Sequence, residues 1–302
     1  MECSNLKDCL PGHPFCLGTV QFGSEYGVSN REGRTPVHEA KKIIEYGYSQ
    51  GMRTLDTAAL YGNSECVLGE IGVDNWDVIT KLPEVPDDCD DIEQWVKKSV
   101  HNSLYRLKKK SIYGLLLHRP DQLLHDQGKR LKQALLGVKN MGLVLHLGVS
   151  VYSEEQLKTL LDVFPVEIVQ LPLNVIDQRF VQSGMINIMK KEGIEIHARS
   201  IFLQGVLLMK PSLRPVYFSR WKIVFDKWDN YLKKNGISAL DACIKFALSV
   251  PGIHKVLVGV QNHMQLEEIL EKEIIESGNI DLPEGISSND QELINPSLWR
   301  LT

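Results

Sequence analysis

The sequence is short of the features that would place it in several large protein classes. No apolar run approaches the roughly 20 residues needed to span a bilayer, so no membrane role is expected. The formal net charge of −4 gives no basic surface for nucleic acid or anionic lipid, and neither is expected as a partner. The first residues, Met-Glu-Cys-Ser-Asn-Leu-Lys-Asp, lack the basic-then-apolar order of a secretion signal, and the expected location is cytoplasmic. Six cysteines (Cys3, Cys9, Cys16, Cys66, Cys89 and Cys243) lie far apart without a CxxC pair, which reads as reduced thiols. The histidines form no HExxH or HxH cluster, so no metal site is expected. No strand is followed by GxGxxG, and no Walker motif occurs. Low-complexity linkers and repeats are also missing.

What is present is an alternation of short apolar runs with longer helical patterns, the order of βαβ units. The predicted strands are Phe15–Val20, Thr54–Thr57, Val78–Lys81, Gly114–His118, Leu145–Ser150, Ile168–Leu171, Glu195–Arg199 and Lys255–Val260. Eight such strands separated by helices fit a closed (β/α)8 TIM barrel, and 302 residues suit one barrel domain (1–302) with added loops. Helix signals support this. Thr35-Pro36 predicts a capping residue before a first-turn proline. Ser153-Glu154-Glu155-Gln156 reads as a capping box. Ile92, Val96, Val100, Leu104 and Leu107 recur at helical spacing, so one face is buried. Gly51 is placed to end the first long helix in a left-handed conformation.

The interval from Ser200 to His254 is too long for one connection, and the stretch 208–235 is read as an insertion between strands seven and eight. Trp221, Phe225 and Trp228 are spaced i, i+4, i+7 in it. They form either an extra helix with a packed aromatic face, the preferred reading, or a loop lending apolar contacts to the active face; both can hold. The tail 281–302, with Trp299, either folds over the pocket or stays loose, as tails of mixed composition usually do.

Barrel chemistry sits at the C-terminal ends of strands. Polar residues follow the apolar runs there: Asp56, Lys81, His118, Ser150, Gln170 and Arg199. A cation and an anion aimed into one partly buried cup are costly unless paired, which predicts an Asp56–Lys81 ion pair. Tyr61 lies five residues beyond Asp56, on the loop leaving the second strand. Its phenol, with an ordinary pKa of about 10, is a poor proton donor near neutrality unless a nearby ammonium lowers that value. His118 is the expected orienting partner for a bound carbonyl.

The run Leu55-Asp56-Thr57-Ala58-Ala59-Leu60-Tyr61-Gly62-Asn63-Ser64-Glu65, followed in order by Ile79-Thr80-Lys81, Leu116-Leu117-His118-Arg119-Pro120 and Gly148-Val149-Ser150, resembles the aldo-keto reductase superfamily. The similarity runs from about Leu17 to Leu270. It implies reduction of an aldehyde or ketone by a nicotinamide cofactor, NADP(H) in most members with NAD(H) possible. It also implies a catalytic set of Asp56, Tyr61, Lys81 and His118. Cofactor contacts implied by the match are Gly18, Thr19, Asp56, Ser150, Gln170, Arg199, Ser200, Phe202, Gln204, Gly205, Gly259, Gln261, Asn262, Gln265 and Glu268. Arg199 falls where many members have a tyrosine stacked on the nicotinamide.

Three positions depart from the family pattern. Val151 replaces an asparagine that contacts the carboxamide. Gln265 stands where a basic residue often grips the 2′-phosphate, which weakens the preference for NADP(H). Ile269 replaces an asparagine that often meets the adenine. Phe22, Glu25 and Tyr26, with Tyr61, His118 and Arg119, are the expected substrate contacts. The opening Leu17-Gly18-Thr19-Val20-Gln21-Phe22-Gly23-Ser24-Glu25-Tyr26-Gly27 is similar to bacterial members associated with sugar-like substrates. The family's C-terminal segment often shapes the substrate site, which makes Trp299 a residue to test. Two rival readings stay open: a barrel aldolase using Lys81 as a Schiff-base nucleophile, and a cofactor-binding regulatory subunit of low turnover.

Overall fold

The computed structural model describes residues 12–270 and 280–301. Cys3 and Cys9 lie outside the described residues. Eight parallel strands close on themselves in the order β1 to β8: β1 (Phe15–Gly18), β2 (Thr54–Asp56), β3 (Asp77–Leu82), β4 (Ile112–Leu117), β5 (Val144–Ser150), β6 (Ile168–Pro172), β7 (Glu195–Arg199) and β8 (Lys255–Gly259). The helices in chain order are α1 (Val20–Gly23), α2 (Val37–Ser49), α3 (Ser64–Ile71), α4 (Ile92–Leu107), α5 (Gly128–Asn140), α6 (Glu154–Val163), α7 (Arg179–Gln182), α8 (Met185–Lys191), α9 (Lys222–Asn235), α10 (Ala239–Ser249), α11 (His263–Leu270) and α12 (Gln291–Ile294). The architecture is therefore the (β/α)8 barrel expected. No helix among the described residues is long and apolar enough to cross a membrane.

The barrel interior is filled, so it offers a floor rather than a pore. Ile79, Leu116 and Ile168 from three strands make an inner cluster of their own. Space there is so tight that a Cβ on Gly148 would lie 2.2 Å from the Ile168 carbonyl oxygen, and one on Gly114 would lie 2.9 Å from Ile168 Cδ1. Outside the strands, α4 buries Ile92, Val96, Val100, Leu104 and Leu107, the face its periodicity predicts. Each such side chain contributes about 1.5–3 kcal/mol on leaving water. Asp91 caps this helix by accepting the Gln94 N–H at 3.0 Å.

Several local signals act as expected. Ser153 accepts the Gln156 N–H at 3.2 Å, and Gln156 Oε1 accepts from Tyr152 N at 3.0 Å. Gly51 takes φ +92° just past α2. The start of α2 differs. Pro36 is the capping residue, with extended backbone, and the helix begins at Val37. The Thr35 hydroxyl instead donates to the Gln261 carbonyl at 3.2 Å, because the chain after β8 offers it a tertiary acceptor.

The 208–235 insertion contains the extra helix, α9, and its aromatics pack inward: Trp221, Phe225 and Trp228 are buried. Trp228 Nε1 donates to the Leu207 carbonyl at 3.0 Å. Of the two readings of the tail, the folded one holds over its described residues. Leu293 and Ile294 are buried, Trp299 stands edge-on to Phe218 with ring centres 4.9 Å apart, and Trp221 Nε1 donates to Asp290 at 2.9 Å. Apolar surface on the insertion, invisible in the tail's own composition, is what fastens it.

Candidate active site

The strand ends gather the polar residues at one mouth. Gly18, Asp56, Ser150, Arg199 and Gly259 are the last residues of β1, β2, β5, β7 and β8; Lys81 and Gln170 lie near the ends of β3 and β6. His118 follows β4, with its N–H still in the ladder to the Leu82 carbonyl at 3.2 Å. The residues surround a cavity of about 750 Å³.

At its floor, Lys81 Nζ donates to both Asp56 carboxylate oxygens, at 2.7 and 2.8 Å, and to the Thr57 carbonyl at 2.9 Å. Lys81 and Asp56 are both buried, so the predicted pairing is present and is what makes burial tolerable. Asp56 also accepts from Gln170 Nε2 at 2.7 Å. The ammonium lies 4.9 Å from the centre of the Tyr61 ring, and the His118 ring stands edge-on to that ring at 6.1 Å.

Three protonation states follow. Burial works against a charged Lys81, but Asp56 and Tyr61 together outweigh it and its pKa is raised, so it is an ammonium. Burial, then the charge of Lys81, lowers His118 to about 4, so the imidazole is neutral. Tyr61 corrects an expectation. Burial raises its pKa more than Lys81 lowers it, so the phenol's pKa is raised rather than brought toward neutrality. The phenol therefore keeps its proton beside the ammonium.

Close backbone packing sets the position of Tyr61. A Cβ on Gly23 would lie 1.7 Å from the Tyr61 carbonyl oxygen, and one on Gly62 (φ +54°) would lie 2.2 Å from the Gly23 carbonyl oxygen. Beneath the turn, Ser64 Oγ donates to the Thr19 carbonyl at 2.9 Å and receives the Thr57 hydroxyl at 3.0 Å. Buried Glu65 accepts from Thr80 at 2.6 Å and from Arg106 Nε at 2.7 Å, tying α3 to β3 and α4.

The cavity is lined by Gly18, Thr19, Ser150, Gln170, Arg199, Ser200, Phe202, Gln204, Gly205, Gly259, Gln261, Gln265 and Glu268, as well as by Tyr26 and the four residues at its floor. The segment after β7 is strained: Ser200, Leu203 and Gln204 all have positive φ, a cost of about 1–3 kcal/mol each. Such backbone breaks the helix there, and Val28 N–H bonds the Gln204 carbonyl at 2.9 Å.

Four predicted contacts lie elsewhere. Phe22 is fully buried in the apolar core, because α1 turns it inward. Glu25 and Arg119 are exposed and Asn262 caps α11, accepting the Gln265 N–H at 3.0 Å; none lines the cavity. Conversely, Tyr152, Leu208, Ser238, Leu240, Pro296 and Ser297 line it and escaped sequence reasoning as site residues. Tyr152, two residues past β5, carried the one readable signal, an aromatic just beyond a strand end. The others arrive from the insertion, α10 and the tail.

Residues 14–276 match the model of the Aldo/keto reductase family. Among curated proteins, the chain is 31% identical over 145 residues to 6-dehydroglucose reductase of Novosphingobium aromaticivorans, covering 42% of this chain and 46% of that protein. It is 25% identical over 160 residues to D-arabinose 1-dehydrogenase of Saccharomyces cerevisiae, covering 50% and 46%. The aligned region spans about half the length of these curated relatives. Two solved structures share the fold: an aldo-keto reductase from Bacillus halodurans (TM-score 0.69, 16% identity, 90% of this chain and 93% of that chain) and the glycerol dehydrogenase of Gluconobacter oxydans (TM-score 0.67, 20% identity, 90% and 88%). With the family model matching across most of its length, around a barrel mouth that brings Asp56, Tyr61, Lys81 and His118 together, the chain belongs to the aldo/keto reductase family.

Proposed function

We propose that the protein is an NADP(H)-dependent reductase of aldehydes or ketones, with Tyr61 as the general acid. The observation that carries this reading is the convergence of a protonated phenol, a paired ammonium and a neutral imidazole on one cavity wall. The cavity suits a nicotinamide dinucleotide in size. Its wall also carries a buried Gln21 whose Oε1 has no partner among the described residues and the His118 Nδ1, likewise unpartnered among them, polar atoms left for a ligand. Ser150 and Gln170 would hold the carboxamide; Gln170 Nε2 is committed to Asp56, so its Oε1 serves as the acceptor. Gly18, Thr19, Gly259 and the strained segment Ser200–Gly205 would hold the remainder.

When bound, the nicotinamide supplies the hydride that reduces the carbonyl carbon. His118, neutral, offers a ring N–H to the carbonyl oxygen and orients it. Tyr61 gives its Oη proton to that oxygen as negative charge develops there. Lys81 remains an ammonium beside the resulting phenolate, and Asp56, braced by Gln170, keeps Lys81 charged and in place. A lysine held protonated is a poor Schiff-base nucleophile, which speaks against the aldolase reading. Sugar-like carbonyls are the substrate class we favour, consistent with the substrates in the names of 6-dehydroglucose reductase and D-arabinose 1-dehydrogenase. Among the described residues, those lining the cavity near α11 include Gln261, Gln265 and Glu268 and no cation to grip a 2′-phosphate, so NADPH should bind no more than about tenfold tighter than NADH.

The test is NADPH oxidation with a panel of aldoses and simple aldehydes, beside intrinsic-fluorescence titrations with NADPH and NADH. Tyr61→Phe should lower turnover about 10²-fold or more while leaving NADPH affinity near that of the parent. Full turnover in that variant removes Tyr61 from the chemistry. Cofactor binding without single-turnover oxidation by any carbonyl would favour the regulatory reading instead.

A further inference from the structure

Arg199 is a half-buried guanidinium on the wall of the cavity, and among the described residues it has no carboxylate partner. Two of its N–H groups are used, one on the Val151 carbonyl at 3.1 Å and one on Ser200 Oγ at 3.2 Å. Tyr152 covers one face of its plane, 4.3 Å from ring centre to guanidinium carbon. A guanidinium carries five N–H donors, so three remain without an acceptor among the described residues. The plane is thus pinned by two bonds and a ring, while part of its donor edge is left for something else.

The charges nearby have a definite balance. Those acting on Tyr61 are Lys81, Asp56 and Arg199; Arg199 also acts on Tyr26 and His118. Lys81 and Asp56 neutralise one another in their buried pair. The cavity's other carboxylate among the described residues, Glu268, sits on α11. Arg199 is therefore a cation of the cavity wall left over from the Lys81–Asp56 pair, with Arg119 a further cation acting on His118, and it lies among the phenols of Tyr26, Tyr61 and Tyr152. Holding a cation in a half-desolvated wall without a counter-ion is unfavourable unless the ligand brings one.

We propose that Arg199 is a specificity-determining residue that selects carbonyl substrates carrying an anionic group, a carboxylate or a phosphate, at the end remote from the carbonyl. The guanidinium edge pairs with such a group in a fork, while the tyrosine hydroxyls meet the intervening hydroxyls of a sugar-like chain. This deepens the reductase reading and rests on it for the identity of the reacting group, but not for the binding preference.

D-glucuronate, D-glucose 6-phosphate and D-glucose share the same reducing end and differ at C6, so they isolate the charge. Calorimetric titration of the enzyme with each, and the kcat/KM of each with NADPH, should rank one of the two anions at least about tenfold above glucose, the range of a charge-assisted pair. Whichever anion leads identifies the group as carboxylate or phosphate. Arg199→Gln should collapse the anion-to-neutral ratio to near one in both measurements, and Arg199→Lys, which keeps the charge, should retain part of it. The ratio is the readout, so a general fall in rate does not obscure it. Equal binding of all three sugars by the parent enzyme overturns the proposal. So does an unchanged ratio in Arg199→Gln, or a loss of NADPH affinity as large as the loss of anion affinity, which would assign Arg199 to the cofactor. Selective anion binding with no turnover of any carbonyl, sugars and simple aldehydes alike, would instead retain the specificity role and sink the reductase reading.

Discussion

Tyr61 owes its usefulness to two glycines that have no chemistry of their own. Gly23 and Gly62 let the first loop and the Tyr61 turn touch backbone to backbone, where a single methyl group would overlap a carbonyl oxygen. Gly23→Ala must push the Tyr61 turn off the floor of the cavity. A displacement near 1 Å from productive geometry costs about 10²-fold in rate. We therefore expect kcat to fall by that order, with NADPH affinity changing less than tenfold, in steady-state assays and fluorescence titration. Near-parental kcat would mean that the turn tolerates movement. Asp56, Lys81, His118, Ser150, Gln170 and Arg199 were legible as site residues because each ends, or nearly ends, an apolar run, and the barrel places such ends together. Phe22, Glu25 and Arg119 do not line the cavity, because a side chain's direction in a loop depends on what packs above it. The raised pKa of Tyr61 was misjudged for a related reason. Proximity to an ammonium can be inferred from spacing, whereas burial strong enough to outweigh it is a property of the assembled cup.

Among the added elements, α9 has the most direct line to the site. Trp228 on this helix is fully buried and bonds the Leu207 carbonyl, at the end of the strained segment that carries Gln204, Gly205 and Leu208 into the cavity wall. Trp228→Ala should destabilise the protein by about 3–5 kcal/mol, read from urea unfolding. Because the same contact braces the cavity wall, it should also weaken NADPH binding; destabilisation with unaltered affinity would confine Trp228 to packing. The aromatic spacing of Trp221, Phe225 and Trp228 announced a helix with one buried face. It did not announce that the face would also fasten the tail, through Phe218 against Trp299 and Trp221 on Asp290, so that Pro296 and Ser297 reach the cavity.

The molecule as a whole buries titratable groups at both ends of its barrel, and these set its response to acid. His118 at the mouth and His13 near the start of β1 are each lowered to about 4, chiefly by burial, from an ordinary 6.5. Between those values the unfolded chain takes up protons that the folded chain refuses, so stability falls as pH drops from about 6.5 to about 4. Glu195 extends the decline. Burial acts to raise its pKa, but bonds from His197 at 2.7 Å and Tyr113 at 2.6 Å prevail and hold it near 2. Its contribution is complete above about 4.5 and disappears as pH falls toward 2. Scanning calorimetry from pH 7 to pH 4 should show Tm falling steadily, by roughly 5 °C or more. A level Tm across that range would contradict the buried, neutral histidines.

Strand order, the barrel class and the identity of the polar residues at the mouth follow from the chain alone, since alternation of apolar runs and helices admits few closed arrangements and puts every strand end on one face. Which of those residues are charged, which loop side chains turn inward, and how tail and insertion complete the wall were decided only on folding. Desolvation and charge coupling depend on distances between residues far apart in the chain, such as Asp56 and Gln170 or Phe218 and Trp299, and no local pattern encodes those distances.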